Sequence, residues 1–293
     1  MSVTVNRKIL FRLLDELLAR RAGNLFPYTK KDAVIPQTII PDDLRKDKRV
    51  LACFYFYACI YMRGGIESVQ AFNALIRMWR KHPYMFDPLE AQWLEQRKVK
   101  ALLKRYIGWD SEAASITWLE NSRRLVQYWR GDPLMLIKGL RSYDEALRRI
   151  RNKTSKIDQR QAGTDGAGFR GFQPKMVSML LYFYDWEGWL EKRFYYPPPA
   201  DFHNFRLGFN QGAIVLSVWV ETVRVSEKIS ILWRNATMDY LRARKADPVV
   251  VADAIWLFSL VMCGNSPLNR TTKTNGSGMF AAKDLPHTMT LEA

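Results

Sequence analysis

Two short phrases in the sequence bring together residue types that could do covalent chemistry. Gly168-Phe169-Arg170-Gly171-Phe172-Gln173-Pro174-Lys175 opens an apolar run, so a glycine-bearing turn leads into a helix that begins with a lysine. Pro199-Ala200-Asp201-Phe202-His203 follows a proline-rich stretch and places one aspartate at the entry to another helix. A turn of the first kind offers consecutive backbone N–H groups and a helix N-terminus to an anion. A DNA phosphate would fit there, with Arg170 as an added contact, although phosphate contacts position a duplex and read no sequence. The helix N-terminus disfavours an ammonium on Lys175. A neutral lysine amine is a nucleophile that can attack a sugar anomeric carbon, expel the base and leave a Schiff base. Breaking an N-glycosidic bond builds positive charge on the sugar, and a carboxylate such as Asp201 would stabilise it or help deprotonate the attacking amine or water. The surroundings of both residues also fit plainer roles. Lys175 reads as one more phosphate contact, the role that its surroundings alone favour, and Asp201 as a helix N-cap. His203 is expected to be structural or to contact backbone.

The elements that must position these residues read as helical throughout. Residues 6 to 21 place Ile9, Leu10, Leu13, Leu14, Leu17 and Leu18 at helical intervals, with Gly23 as a stop. Residues 22 to 48, with Pro27, Pro36 and Pro41, suit an extended connection. Residues 51 to 150 read as several helices punctuated by Gly64-Gly65, His82-Pro83, Asp87-Pro88, Gly108 and Gly131-Asp132-Pro133. A basic, turn-rich loop follows over 148–170, and it reads both as a solvated linker and as a phosphate-facing surface. An apolar and aromatic helix spans 176–190, and Tyr195 to Pro199 approach Asp201 in extended form. Further helices are predicted over 202–212, 210–225 and 227–245, with Asp247-Pro248 opening another. The expected organisation is all-α. An N-terminal helix and connection (1–50) pack with the C-terminal lobe, a helical lobe (51–190) ends in the hairpin, the C-terminal lobe (191–264) carries Asp201, and a polar tail (265–293) follows.

Composition narrows the class. The formal charge is +16, from 45 Lys and Arg against 29 Asp and Glu, with a pI near 9.8, which points to a polyanionic partner, nucleic acid before an anionic membrane surface. The longest apolar run, Leu51 to Met62, has twelve residues, short of the ~20 a membrane helix needs, and is expected to be a buried core helix. No secretory pattern opens the chain, since Arg7, Lys8, Arg12 and Asp15 interrupt its first apolar positions. The expected location is the cytoplasm, in association with the nucleoid. Cys53, Cys59 and Cys263 encode neither a disulfide framework nor a zinc site, and three cysteines cannot supply four thiolates to an iron–sulfur cluster. No cofactor or metal is expected.

The segment from Phe169 to Val177 resembles the hairpin of the helix-hairpin-helix (HhH-GPD) superfamily of DNA glycosylases, in which a Gly-apolar-Gly-x-Lys turn leads into a helix. Pro199-Ala200-Asp201-Phe202-His203 is similar to that family's Pro-Val-Asp-x-His phrase. The resemblance puts Lys175 on the lysine of the bifunctional members and Asp201 on the catalytic aspartate, with Gly168, Arg170, Gly171 and Gln173 as DNA-binding hairpin residues. Trp129-Arg130-Gly131-Asp132-Pro133 is similar to a Gly-Asp turn upstream of the hairpin in relatives, and residues 253 to 257 resemble the C-terminal helix of the archaeal 8-oxoguanine branch. Gln173 stands where the family has its second hairpin glycine, and 26 positions separate 175 from 201, more than in common relatives. The four cysteines of the endonuclease III branch are absent, so the nearest likeness is to the 8-oxoguanine branches without a cluster. The resemblance implies two helical lobes with a DNA-binding cleft between them. It also implies base flipping from double-stranded DNA and excision of a modified base by a monomer, with Lys-dependent AP lyase activity in bifunctional members. The biological role would be DNA repair or antiviral defence, since some bacterial relatives remove hypermodified phage bases. Two other classes fit the residues, a salvage hydrolase for modified nucleosides or nucleotides and a non-catalytic DNA-binding protein.

Overall fold

The computed structural model describes residues 3–31, 34–62, 68–108, 110–153, 168–200, 202–216 and 223–262, and for 202, 203, 206, 216 and 223–226 the backbone only. Among these residues the protein is predominantly helical, with one two-stranded antiparallel sheet. It divides into two compact units, one made of 1–34 with 195–293 and the other of 35–194.

The first unit begins with strand β1 (Val3–Val5) and helix α1 (Arg7–Ala22). Asn6 caps α1 by accepting the Ile9 N–H at 3.2 Å, and Gly23 closes it by donating its N–H to the Ala19 carbonyl at 2.9 Å. Leu10, Leu13, Leu14 and Leu17 form its buried stripe. In the second stretch of this unit, helix α10 (Phe202–Asn210) is followed by strand β2 (Ile214–Leu216) and helices α11 (Val223–Arg244) and α12 (Pro248–Met262). The helix predicted over 210–225 is therefore replaced at its start by a strand. Gly212 at φ +67° ends the helical path. The β-branched pair Ile214-Val215 then finds partners two hundred residues away, with Val3 opposite Leu216, Thr4 opposite Val215 and Val5 opposite Ile214. Ile214, Trp233, Leu241, Val251, Ile255 and Phe258 join the α1 stripe in one core. Gly208 fits only because it lacks a side chain, since a Cβ there would stand 2.6 Å from Ile214 Cδ1. Asp253 is buried and answered by the Arg21 guanidinium at 2.7 Å.

The second unit is built around α3 (Lys48–Tyr61), capped by Asp47 and buried from Leu51 onward. Four consecutive rings, Phe54 to Tyr57, point to four sides because successive helical residues turn by about 100°. Phe54 stacks on Phe86 at 5.8 Å, Tyr55 on Phe183 at 4.9 Å, Phe56 on Phe172 at 5.0 Å and Tyr57 on Trp118 at 4.4 Å. Their hydroxyls are satisfied, Tyr57 with Ser122 at 2.6 Å and Tyr55 by donating to Glu187 at 2.5 Å. Around α3 lie α2 (Asp42–Arg45), α4 (Ser68–Lys81), α5 (Pro88–Ala91), α6 (Gln96–Ile107), α7 (Glu112–Trp129), α8 (Tyr143–Ile150) and α9 (Pro174–Trp186). Residues 36–45 are not a loose connection. Ile40 and Leu44 are buried, and Arg45 bridges the Gln37 carbonyl at 2.5 Å and Glu187 at 3.2 Å.

Candidate functional site

The turn between α8 and α9 is fixed by backbone pairing, side-chain clamps and buried rings. Phe169 donates its N–H to the Ile150 carbonyl at 3.1 Å, and Asn152 donates to the Phe172 carbonyl at 2.7 Å, so the residues flanking 154–167 are tied together. Gly168 has φ +70°, and a Cβ there would lie 1.9 Å from the Arg151 carbonyl oxygen. Gly171 has φ +83°. Both are places where an L side chain is strained. Phe169 and Phe172 are buried against Phe56.

Helix α7 clamps the turn from outside. Asn121, fully buried, accepts the Arg170 N–H on Oδ1 at 2.7 Å and donates Nδ2 to the Arg170 carbonyl at 3.0 Å, which imitates a neighbouring strand. Arg124 donates to the Gly168 carbonyl at 2.6 Å. Glu120 takes the guanidinium of Arg170 at 3.1 Å and that of Arg124. The N–H groups of Phe169, Arg170, Phe172 and Gln173 thus all have protein partners. A phosphate approaching Arg170 would meet a cation already paired with a carboxylate.

Gln173 is exposed and precedes α9, where its carbonyl accepts the N–H groups of Met176 at 2.8 Å and Val177 at 3.1 Å. Pro174 occupies the first helical position, which needs no N–H. Lys175 follows at the second, partly exposed, and is the only cation of a helix whose next residues are apolar and buried. Tyr143 of α8 donates to the Pro174 carbonyl at 3.0 Å and lies 3.0 Å from Ser178 Oγ, holding the start of α9. Gly168, Arg170, Gly171, Gln173 and Lys175 are therefore gathered into one rigid turn.

Asp201 lies outside the described residues, and Lys175 and residue 201 belong to different units. The chain on either side of position 201 is anchored. Asn204, buried at 4% exposure, donates Nδ2 to the Pro199 carbonyl at 3.0 Å and accepts the Trp233 indole N–H at 3.2 Å. A single amide side chain therefore fixes the entry to α10 against α11.

Asn121, Glu120, Arg124 and Asn204 were not singled out from the sequence. Asn121 and Ser122 left a trace, as polar residues on the apolar face of α7 between Trp118 and Leu125. Asn204 left none, because its partners are a carbonyl and an indole visible only in three dimensions. Among the described residues, no group of three or more His, Cys, Asp or Glu side chains could hold a metal ion. No described helix is long and apolar enough to cross a membrane. Comparison with protein-family models, with curated proteins and with solved structures finds no match to this chain.

Proposed function

We propose that this protein is a DNA glycosylase that extrudes a modified base from double-stranded DNA and cuts its N-glycosidic bond. The observation that carries the reading is the turn ending at Lys175. Glycine geometry, the Asn121 clamp and three packed rings hold it, and it sets one partly exposed lysine at the start of an apolar helix. Catalytic groups work best when the scaffold holds them in place without further ordering. In this reading Lys175 attacks the anomeric carbon and the base leaves. The resulting Schiff base allows a subsequent lyase step, while the Asp201 carboxylate stabilises the positive charge on the sugar. Unstacking costs a few kcal/mol and least for a damaged or poorly paired base, which favours modified substrates. The net charge of +16 supports a long polyanion as the substrate.

The test is to incubate the protein with duplexes bearing oxidised, alkylated, deaminated and phage-type bases such as glucosylated hydroxymethylcytosine. Released bases and abasic sites are then measured by mass spectrometry. Release from at least one duplex is expected, with Asp201→Asn binding that duplex and releasing nothing. No release from any duplex would overturn the reading. One observation favours a second reading, hydrolysis of modified nucleosides or nucleotides. The hairpin N–H groups are largely engaged within the protein, and Arg170 is paired with Glu120. Release of base from free nucleosides, with no DNA binding at low salt, would select it.

A further inference from the structure

Trp93 has no part in the fold or in the Lys175 turn. It sits between α5 and α6, held by its N–H to the Glu90 carbonyl at 3.2 Å, and its side chain is 81% exposed, the most of any large apolar residue among the described ones. With Leu94, Glu95, Arg97, Lys98 and Ala101 it lines an open surface hollow of about 600 Å³. An exposed apolar ring rimmed by polar residues marks a contact surface, and the charges around it indicate with what. Helix α6 carries Arg97, Lys98, Lys100, Lys104 and Arg105 and no acidic residue. Its ion-pair acids come from its flanks, Glu95 at 2.6 Å from Arg97 and Asp110 at 2.8 Å from Lys104, and exposed Glu90 precedes Trp93 by one helical turn.

Cations and rings alternate across this corner. The Lys98 ammonium lies 4.9 Å from the centre of the Tyr84 ring. The Tyr84 hydroxyl is 3.0 Å from His82 Nδ1, and the Tyr106 hydroxyl is 3.2 Å from His82 Nε2. On the other side Arg123 of α7 reaches the Gln92 carbonyl at 3.4 Å, beside Trp93. Partial burial first, then the nearby charges of Arg105, Lys98 and Lys81, lower the His82 imidazole from its ordinary value. Aromatic platforms set among cations are the recurrent means of binding unpaired strands, because every base has a face to stack and every nucleotide a phosphate.

We propose that this corner binds single-stranded nucleic acid, one base stacking on the Trp93 indole while Lys98 and Arg123 take the flanking phosphates. The surface goes beyond the excision reading and does not need it, since neither Lys175 nor Asp201 takes part. The experiment uses the full chain and a fluorescein-labelled oligothymidylate, which contains no modified base, with anisotropy read at several salt concentrations. Wild type is expected to bind, with affinity falling as salt rises. Trp93→Ala should weaken binding roughly ten-fold, the scale of one base stacked on a ring, and Trp93→Phe should recover most of it. Lys98→Glu with Arg123→Glu should weaken binding further and flatten the salt dependence. Because Trp93 is exposed, the thermal midpoint of Trp93→Ala should match that of wild type. Binding by Trp93→Ala within two-fold of wild type would overturn the proposal. So would wild type that ignores the oligonucleotide, or one that binds anionic vesicles with the same Trp93 dependence. Base release from a modified duplex by a protein whose oligonucleotide binding ignores Trp93 removes this surface and leaves excision standing. Trp93-dependent binding without any base release does the reverse.

Discussion

At the scale of single residues, the surroundings of Lys175 are described and Asp201 lies outside the described residues. Lys175 ends a turn held by backbone pairing, the Asn121 clamp and buried rings, and that placement makes a sharp prediction. Lys175→Gln should abolish borohydride trapping of a covalent adduct on a substrate duplex, because only an amine forms the reducible Schiff base. Undiminished trapping would assign the amine to another residue, and a wild type that releases base without trapping would point to water as the nucleophile. Asn121 makes a second prediction. Its buried amide serves both the N–H and the carbonyl of Arg170, so Asn121→Ala removes two hydrogen bonds that tie the turn to α7. Each such bond is worth about 0.5–1.5 kcal/mol, and the thermal midpoint should fall accordingly.

At the scale of elements, the turn depends on packing more than on its own sequence. Phe169 and Phe172 reach the core through Phe56, so α3 supports the Lys175 turn without touching the lysine. Truncating a buried phenylalanine costs about 3–5 kcal/mol. Phe56→Ala should therefore lower stability by that order in denaturant titration, and any trapping by Lys175 should fall with it. Gly168→Ala should be worse than the roughly 1–2 kcal/mol of a left-handed non-glycine residue, because the added methyl meets backbone at Arg151 rather than a movable side chain. Helices α1 and α3 follow from apolar spacing and caps, as with Asn6, Gly23 and Asp47. Strand β2 did not, since a three-residue strand exists only through a partner near the other end of the chain.

At the scale of the molecule, charge and pH carry the predictions. If the protein binds DNA as proposed, its net charge of +16 should make that affinity fall steeply with salt. Six to ten phosphate contacts would lose about 10³–10⁵ in affinity between roughly 50 and 200 mM, and affinities measured across that range check this. His82 adds a pH dependence whose sign is fixed by its lowered value in the folded state. The unfolded chain binds this proton more readily, so stability from the residue is full above the ordinary value of 6.5 and declines as pH falls below it toward the folded value. Melting midpoints should drop as pH is lowered from about 7 through that window, and His82→Gln should remove that part of the drop.

The sequence by itself determined the helical character, the burial of Leu51 to Met62 and the glycine turn before Lys175. Each of these is written in local spacing, in caps and in residues that alone tolerate a given backbone. Only the tertiary structure decided that the hairpin N–H groups bond within the protein, that Glu120 holds Arg170 and that Asn204 fixes the entry to α10. It also decided that Trp93 stands exposed in a field of cations. Those facts come from partners far apart in the chain, 49 positions for Asn121 and Arg170 and 29 for Asn204 and Trp233. A hydrogen bond forms wherever packing brings donor and acceptor within about 3 Å, and no local pattern in a sequence records that distance.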